Sequence, residues 1–243
     1  MAYDVLDRHQ GRAAQVERGG YGQFCPVSMA AEILCTRWTV LVLREMLCGS
    51  TRFNDLRRGV PRMSPALLSK RLKDLEKAGL VVATRHDGSV DYRLSPAGRE
   101  LEPIVMSMGF WGQRWVESSL TLKNLDPSLL MWDIRRNLNP EPLPPRRSTI
   151  QFQYPELPES QRNWWLVIES GKIDLCGFDP GYEVDLLVVS PLRTMTAVWM
   201  GLSTLSKEVD VGMVELLGDP SIAGAIHRWM GVSAFAREPR RVN

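Results

Sequence analysis

Side chains able to do catalytic or metal chemistry are few and scattered. Histidine occurs only at His9, His86 and His227, which read as positions in a tail, a hairpin tip and a helix. Cys25, Cys35, Cys48 and Cys176 show no CxxC spacing and no nearby His ligand. Neither a zinc site nor a disulfide framework is expected from them. No GxSxG, no GxGxxG after a strand and no phosphate loop occurs. Asp174, Asp179 and Asp185 are spread over strands and turns and read as edge charges. The sequence therefore offers no catalytic residue, no metal site and no cofactor site, and it reads as a non-enzyme.

The chemistry it does offer is neutralisation of phosphate. Residues 37–99 carry 13 Lys+Arg against 6 Asp+Glu, a net charge of +7, whereas the whole chain carries only +2. Residues 118–243 sum to −2. Cations clustered in this way are what the release of counterions from a nucleic-acid backbone requires.

The element that must carry those cations is SPALLSKRLKDLEKAGL, Ser64 to Leu80. Ser64 can cap a helix by accepting from a free first-turn N–H. Pro65 fits the first helical position, and Gly79 suits the left-handed position past the end. At helical spacing Leu67, Leu68, Leu72, Leu75 and Ala78 share one face. Ala66, Ser69, Lys70, Lys73 and Lys77 share the other, which is cationic and free of bulky apolar groups. A major groove admits such a helix. Arg71 projects toward the apolar side and reads as a structural ion pair.

Two strands follow, Leu80–Arg85 and Val90–Leu94, around the tight-turn signal Asp87-Gly88. A shorter helix precedes, Thr51–Arg58, with Phe53 and Leu56 facing inward and a turn over 59–63. Helix, Gly-containing turn, basic helix and hairpin make a winged helix-turn-helix. Ala66, Ser69, Lys70 and Lys73 are the candidates to read bases. Ser64, Arg57, Arg58, Arg62 and Arg85 are the candidates to grip the backbone, against an ordinary reading as solvated polar side chains. Upstream, residues 1–24 form a polar arm. Pro26–Leu34 and Arg37–Leu47 read as helices, the second capped by Thr36 and anchored by Trp38. Downstream, Ser95 to about Val116 reads as one long helix kinked at Pro103. Its apolar stripe, Leu101 to Trp115, exceeds what one such domain can cover, so a homodimer is expected.

The run from Cys25 to about Trp115 resembles the HxlR family of bacterial transcription regulators, in the wider MarR-like winged-helix group. The matching stretches are CPV, RWTVLVLREML, RFNDLRR, SPALLSKRLKDLEKAGLV, YRLSPAGREL and Trp111-Gly112. The resemblance implies a homodimer on a pseudo-palindromic operator of double-stranded DNA, usually near its own gene. This sequence has Cys35-Thr36 where the family often has Gly-Lys or Gly-Asp. Its wing tip, HDGSV, is short, which turns Arg85, His86 and Ser89 toward phosphate rather than the minor groove. Some relatives use a cysteine at the position of Cys25 as a redox sensor. Here that thiol sits at a helix start, where the dipole favours thiolate, although a small half-buried residue is the plainer reading.

Beyond a linker at 118–126, residues 127–243 change character. Pro127–Leu138 reads as a helix, and Asn139–Arg147 as a proline-rich connector. Strands then follow at 149–154, 164–169, 172–178 and 183–190, with Ser170-Gly171 as a hairpin turn. A helix at 191–200, a strand at 211–217 and a helix from Asp219 to about Met230 complete the order. That order resembles the sterol carrier protein fold, most closely over Met195–Met230. The resemblance implies an α+β domain, a mainly antiparallel sheet with helices on one side and an apolar tunnel between. Met195, Trp199, Met200, Met213, Ile226 and Trp229 are the candidates to line it around a small hydrophobic ligand. Each taken alone reads as plain core. No apolar run approaches the roughly 18 residues of a membrane span, and the polar N-terminus lacks a signal core, so a cytoplasmic protein is expected. The combined expectation is a DNA-binding regulator modulated by a hydrophobic effector. Two alternatives stay open: a second domain that only dimerises or docks a partner, and a lipid carrier with a vestigial wing.

Overall fold

A computed structural model describes residues 20–86, 88–117 and 124–242. The arm before residue 20, Asp87 of the wing tip and most of the linker lie outside the described residues.

The N-terminal unit begins with α1 (Pro26–Leu34) and α2 (Thr39–Leu47). The second of these starts later than the sequence suggests. Thr36 does not cap it. Its hydroxyl donates back to the Glu32 carbonyl (3.4 Å), finishing α1. The cap position is Trp38, held in the left-handed region at φ 77°, with the Arg37 guanidinium 5.4 Å from its ring centroid. Next come α3 (Phe53–Gly59) and α4 (Pro65–Lys77). The Ser64 hydroxyl accepts from Leu67 N at 3.3 Å, and Gly79 takes φ 74° past the end. Leu68, Leu72 and Leu75 are buried against Val42, Leu43 and Leu56. Truncating such a leucine to alanine costs about 2–5 kcal/mol.

The wing is β1 (Val81–His86) paired antiparallel with β2 (Ser89–Leu94), His86 opposite Ser89. Beside this closing pair Gly88 has φ 80°, the positive value that a tight hairpin turn needs. After the wing the chain forms two helices, not one kinked helix. Ser95 caps α5 (Pro96–Arg99) by accepting from Gly98 N, and it donates to the Gly79 carbonyl at 2.7 Å. The chain then restarts as α6 (Glu102–Trp115) with Pro103 in its first turn. A proline N–H is missing and its ring crowds the preceding turn, so a break with Pro103 at the new start is easier than a kink.

The C-terminal unit opens with α7 (Pro127–Asn137), capped by the Asp126 carboxylate, which accepts from Ser128 N and Leu129 N. Its sheet comprises β3 (Ser148–Gln153), β4 (Asn163–Glu169), β5 (Lys172–Cys176), β6 (Leu186–Val189) and β7 (Glu215–Gly218), in the order β5-β4-β3-β6-β7. The β3–β6 pair is parallel and the other pairs are antiparallel. Ser170 and Gly171 both take positive φ, 51° and 76°, so the β4–β5 turn is of the hairpin type. The alternation of β3 buries Ile150 and Phe152, with Tyr154 just beyond it, whereas Gln151 and Gln153 both donate to Asn163 Oδ1 at 3.1 Å.

The short helices differ in part from expectation. Helix α8 (Glu159–Arg162) leads into β4 without having been expected, α9 (Leu192–Trp199) falls within the helix expected at 191–200, and α10 (Leu205–Asp210), capped by Thr204, occupies a stretch where no element is expected. The strand expected from Val211 starts only at Glu215, because Gly212 turns the chain at φ 72°. The final helix is split into α11 (Pro220–Gly224) and α12 (Ile226–Trp229). The Ile222 carbonyl, which Ile226 N would take in a continuous helix, accepts instead from Trp229 Nε1 at 2.9 Å. Among the described residues no single helix is long and apolar enough to cross a membrane.

Candidate nucleic-acid interface

The outer face of α4 is presented as its spacing implies. Ala66, Lys70 and Lys73 are exposed and Ser69 is half-buried. Arg71 turns inward and pairs with Asp74, Nη1 to Oδ2 3.0 Å. The charge of the outer face is then that of Lys70, Lys73 and Lys77, all exposed. Ser64 is exposed at the N-terminal edge, but its hydroxyl is already engaged as the cap.

The basic residues around α4 fall into two groups. Arg57, Arg85 and His86 are exposed to solvent. Arg58 and Arg62 are exposed as well, and their guanidinium groups also meet the second half of the chain. The Arg58 guanidinium lies 5.2 Å from the Trp132 ring centroid and 3.8 Å from Asp55. Arg62 Nη1 donates to Asn124 Oδ1 at 3.2 Å. The Ser89 hydroxyl donates to the His86 carbonyl and accepts from Arg52 Nη1 at 3.0 Å.

Arg52 is a residue the sequence reading overlooked. It pairs as an isolated β-bridge with Asp91 and brings its Nε to 3.5 Å from that carboxylate. Tyr92 N donates to the Thr51 carbonyl at 2.8 Å. The wing is thereby fastened to the start of α3. Asp91 is the electrostatic centre of that joint. A side-chain hydrogen bond from Thr51 and another from Arg93 hold its carboxyl below the usual carboxylate range. The signal was present in the motif RFNDLRR, where Arg52 precedes the first inward residue.

A second surface of the unit, on α1 and α6, is apolar and exposed. Ile104, Met108, Trp111 and Trp115 of α6 are all exposed, as are Val27 and Met29 of α1. Two open apolar grooves run over it. One, of about 690 Å³, is lined by residues of α6 from Pro103 to Gly112. The other, of about 600 Å³, lies between α1, α2 and α6 and includes Cys35 and Trp38. Cys25 is exposed at the start of α1 and caps nothing with its side chain.

The candidate ligand residues of the second half are mostly packed together. Met195, Trp199, Ile226 and Trp229 belong to one buried cluster between sheet and helices. Met200 packs half-buried at its edge, whereas Met213 is 43% exposed, on the turn that replaces the expected strand. Trp199 Nε1 is buried without a hydrogen-bond partner. Among the described residues no group of three His, Cys, Asp or Glu side chains gathers to hold a metal.

With this geometry in place, known proteins match the N-terminal unit. The model of the HxlR-like helix-turn-helix family matches residues 33–120. The uncharacterised HTH-type transcriptional regulator YvaP of Bacillus subtilis is 34% identical over 101 residues, which cover 40% of this chain and 94% of that protein. YdeP of the same organism is 31% identical over 94 residues, covering 37% of this chain and 73% of that one. Among solved structures, the redox regulator HypR in its reduced form is 34% identical, covers 37% of this chain and 91% of that chain, and superposes with a TM-score of 0.35. The relatives are named transcriptional regulators, and the chain, through its N-terminal unit, belongs to the HxlR-like helix-turn-helix family.

Proposed function

We propose that this regulator binds operator DNA in the cytoplasm as a homodimer and that a small hydrophobic effector in the C-terminal unit modulates it. The observation that carries the reading is the exposed face of α4. Ala66 leaves room for close approach at the N-terminal end, and Lys70 and Lys73 follow one and two turns on. Such a face in the major groove reads bases at its N-terminal half. Arg57, Arg85 and His86 flank it as phosphate contacts, with Arg62, Ser64 and Ser89 at its margin. The DNA-binding unit is taken as residues 25–117, the linker as 118–126 and the effector unit as 127–243.

The uncovered faces of α1 and α6 support the dimer, because a partner copy would bury their tryptophans and methionines. A dimer also sets two recognition helices about one DNA turn, roughly 34 Å, apart. The strand order β5-β4-β3-β6-β7, with its single parallel pair, supports a sterol-carrier-like reading of the second unit. An effector can act there only by binding one arrangement of the dimer better than the other. The tight packing of Met195, Trp199, Ile226 and Trp229 favours a second reading, in which this unit binds no ligand and serves to dock a partner or complete the dimer.

Fluorescence anisotropy with the duplex upstream of the chain's own gene, set against an unrelated duplex of equal length, tests the DNA reading. Preference for the former, lost in the K70A/K73A variant, is expected. Equal weak binding of both would sink the placement of the recognition helix. Native mass spectrometry of the purified protein, with extraction of what co-purifies, tests the effector. One apolar molecule per chain supports the effector site, and an empty chain favours the docking role.

A further inference from the structure

Where the C-terminal unit meets α2 and α3, the contact centres on one buried carboxylate. Glu45 of α2 is completely buried. Its Oε1 accepts from Arg44 Nε at 3.1 Å, within the same helix. Its Oε2 accepts from two groups of α7: Arg136 Nη1 at 2.7 Å and Trp132 Nε1 at 3.3 Å. Arg136 also pairs with Asp133 one turn back. The four charges balance, and the carboxylate has no water to fall back on.

The same carboxylate lies directly over Gly59, the last residue of α3. A Cβ at Gly59 would come within 1.8 Å of the Glu45 carboxyl group, so only glycine allows the approach. Arg44 Nη2 donates to the Gly59 carbonyl at 3.2 Å. Two guanidinium groups meanwhile approach the Trp132 ring, Arg135 of its own helix at 4.7 Å and Arg58 of α3 at 5.2 Å. Five residues separate Gly59 from Pro65, where the recognition helix begins. A shift of α3 in this region moves that helix directly.

We infer that Arg136 and Trp132 of the second unit are positioning residues for DNA reading: by closing on Glu45 over Gly59 they fix α3, and through it the recognition helix. The inference rests on the DNA-binding reading above, and it makes the joint the route by which the second unit acts on the first. Leaving Glu45 short of a donor would be costly, because an uncompensated buried charge destabilises strongly. The cost falls on the seam between the units, so the two are held as one cooperative body while the joint is closed.

The test uses the full chain, with calorimetry and anisotropy on sheared duplex DNA at low salt. Wild type is expected to unfold in one transition that duplex DNA shifts upward as a whole. Arg136→Met should split it into two transitions, only one of them raised by DNA, and weaken binding by about 10-fold, within the usual span of coupling between sites. Arg136→Lys, which keeps a charged donor, should restore most of the affinity and the single transition. Should Arg136→Met fail to fold, Trp132→Phe keeps an aromatic ring while removing the Nε1 donor with the pyrrole half of the indole, and it should weaken DNA binding in the same sense. Wild-type affinity and a single DNA-shifted transition in the folded variant would overturn the inference. If wild type binds no duplex at all, the DNA reading fails instead, and the number of transitions in Arg136→Met still decides whether the joint couples the units.

Discussion

The ring of Phe235 stands edge-on to that of Phe110, their centroids 5.3 Å apart and their planes at 83°. Phe110 belongs to α6, the helix with the uncovered apolar face. Phe235 belongs to the C-terminal tail, more than a hundred residues on. Around this pair the tail is stitched along α6. Arg114 pairs with Glu238, Arg240 donates to the Val116 carbonyl, and Arg241 N donates to the Arg114 carbonyl at 2.8 Å. Gln113, buried in the same helix, donates to the Met200 carbonyl at 3.0 Å. The C-terminal unit thus holds the N-terminal one at two places, the Glu45 joint and the back of α6.

Gly109 makes the ring contact possible. A Cβ there would come within 2.3 Å of the Phe235 ring. Gly109→Ala should force the ring aside and destabilise the protein by about 1–3 kcal/mol, the usual cost of overpacking, although alanine is the better helix former. Urea unfolding followed by circular dichroism reads this. A variant as stable as wild type, or more so, would mean that the tail yields freely and adds little.

The local features of this fold were legible, and the long-range ones were not. Ser64, Asp126 and Asp219 each precede a proline, and each caps its helix as the side-chain chemistry requires. Ser170-Gly171 and Gly88 announce their turns in the same local way. Pro103 reads as a kink from sequence and instead begins α6, because a proline can do either and its local chemistry does not decide between them. The Glu45 joint could not be read at all. Its partners lie 87 and 91 residues away, and a lone glutamate among apolar residues carries no mark of who will pair with it. For the same reason the approach of Arg58 to the Trp132 ring could not be read either.

Lys70 and Lys73 can be sorted by salt. A lysine that neutralises one phosphate should, on replacement by alanine, weaken binding to every duplex and reduce the slope of log affinity against log salt by about one. A lysine that reads a base should leave the slope nearly unchanged and cost about 1–3 kcal/mol at one position of the site. Titrations at several salt concentrations, on a preferred and an unrelated duplex, distinguish these outcomes. If neither lysine alters affinity or slope, α4 does not enter the groove by this face.

Asp91 should make the wing joint sensitive to acid. Its carboxyl is held below the ordinary value, first by the Thr51 hydrogen bond and then by Arg93. A depressed carboxyl stabilises the fold at pH values above its unfolded value, near 4, and loses that contribution as pH falls through the folded value. Asp91→Asn should therefore lower the melting temperature at neutral pH, and its difference from wild type should shrink on acidification below about pH 4. An equal difference at neutral and acid pH would assign the effect of the substitution to packing rather than charge.

Met108 offers the most direct test of the dimer. It is 53% exposed at the middle of α6, between Ile104 and Trp111, and it borders both apolar grooves. In a lone chain a glutamate there would meet water and cost little. At the centre of a self-complementary interface the same glutamate would be buried against apolar side chains with no cation to meet it. Such an unpaired charge costs several kcal/mol even after relaxation. Met108→Glu should therefore leave the far-ultraviolet spectrum unchanged while halving the mass found by light scattering at micromolar concentration. Operator affinity should fall with it, since one recognition helix then binds without the other. A variant that remains dimeric would move the interface off α6 and leave the face of Ile104, Met108 and Trp111 to another occupant.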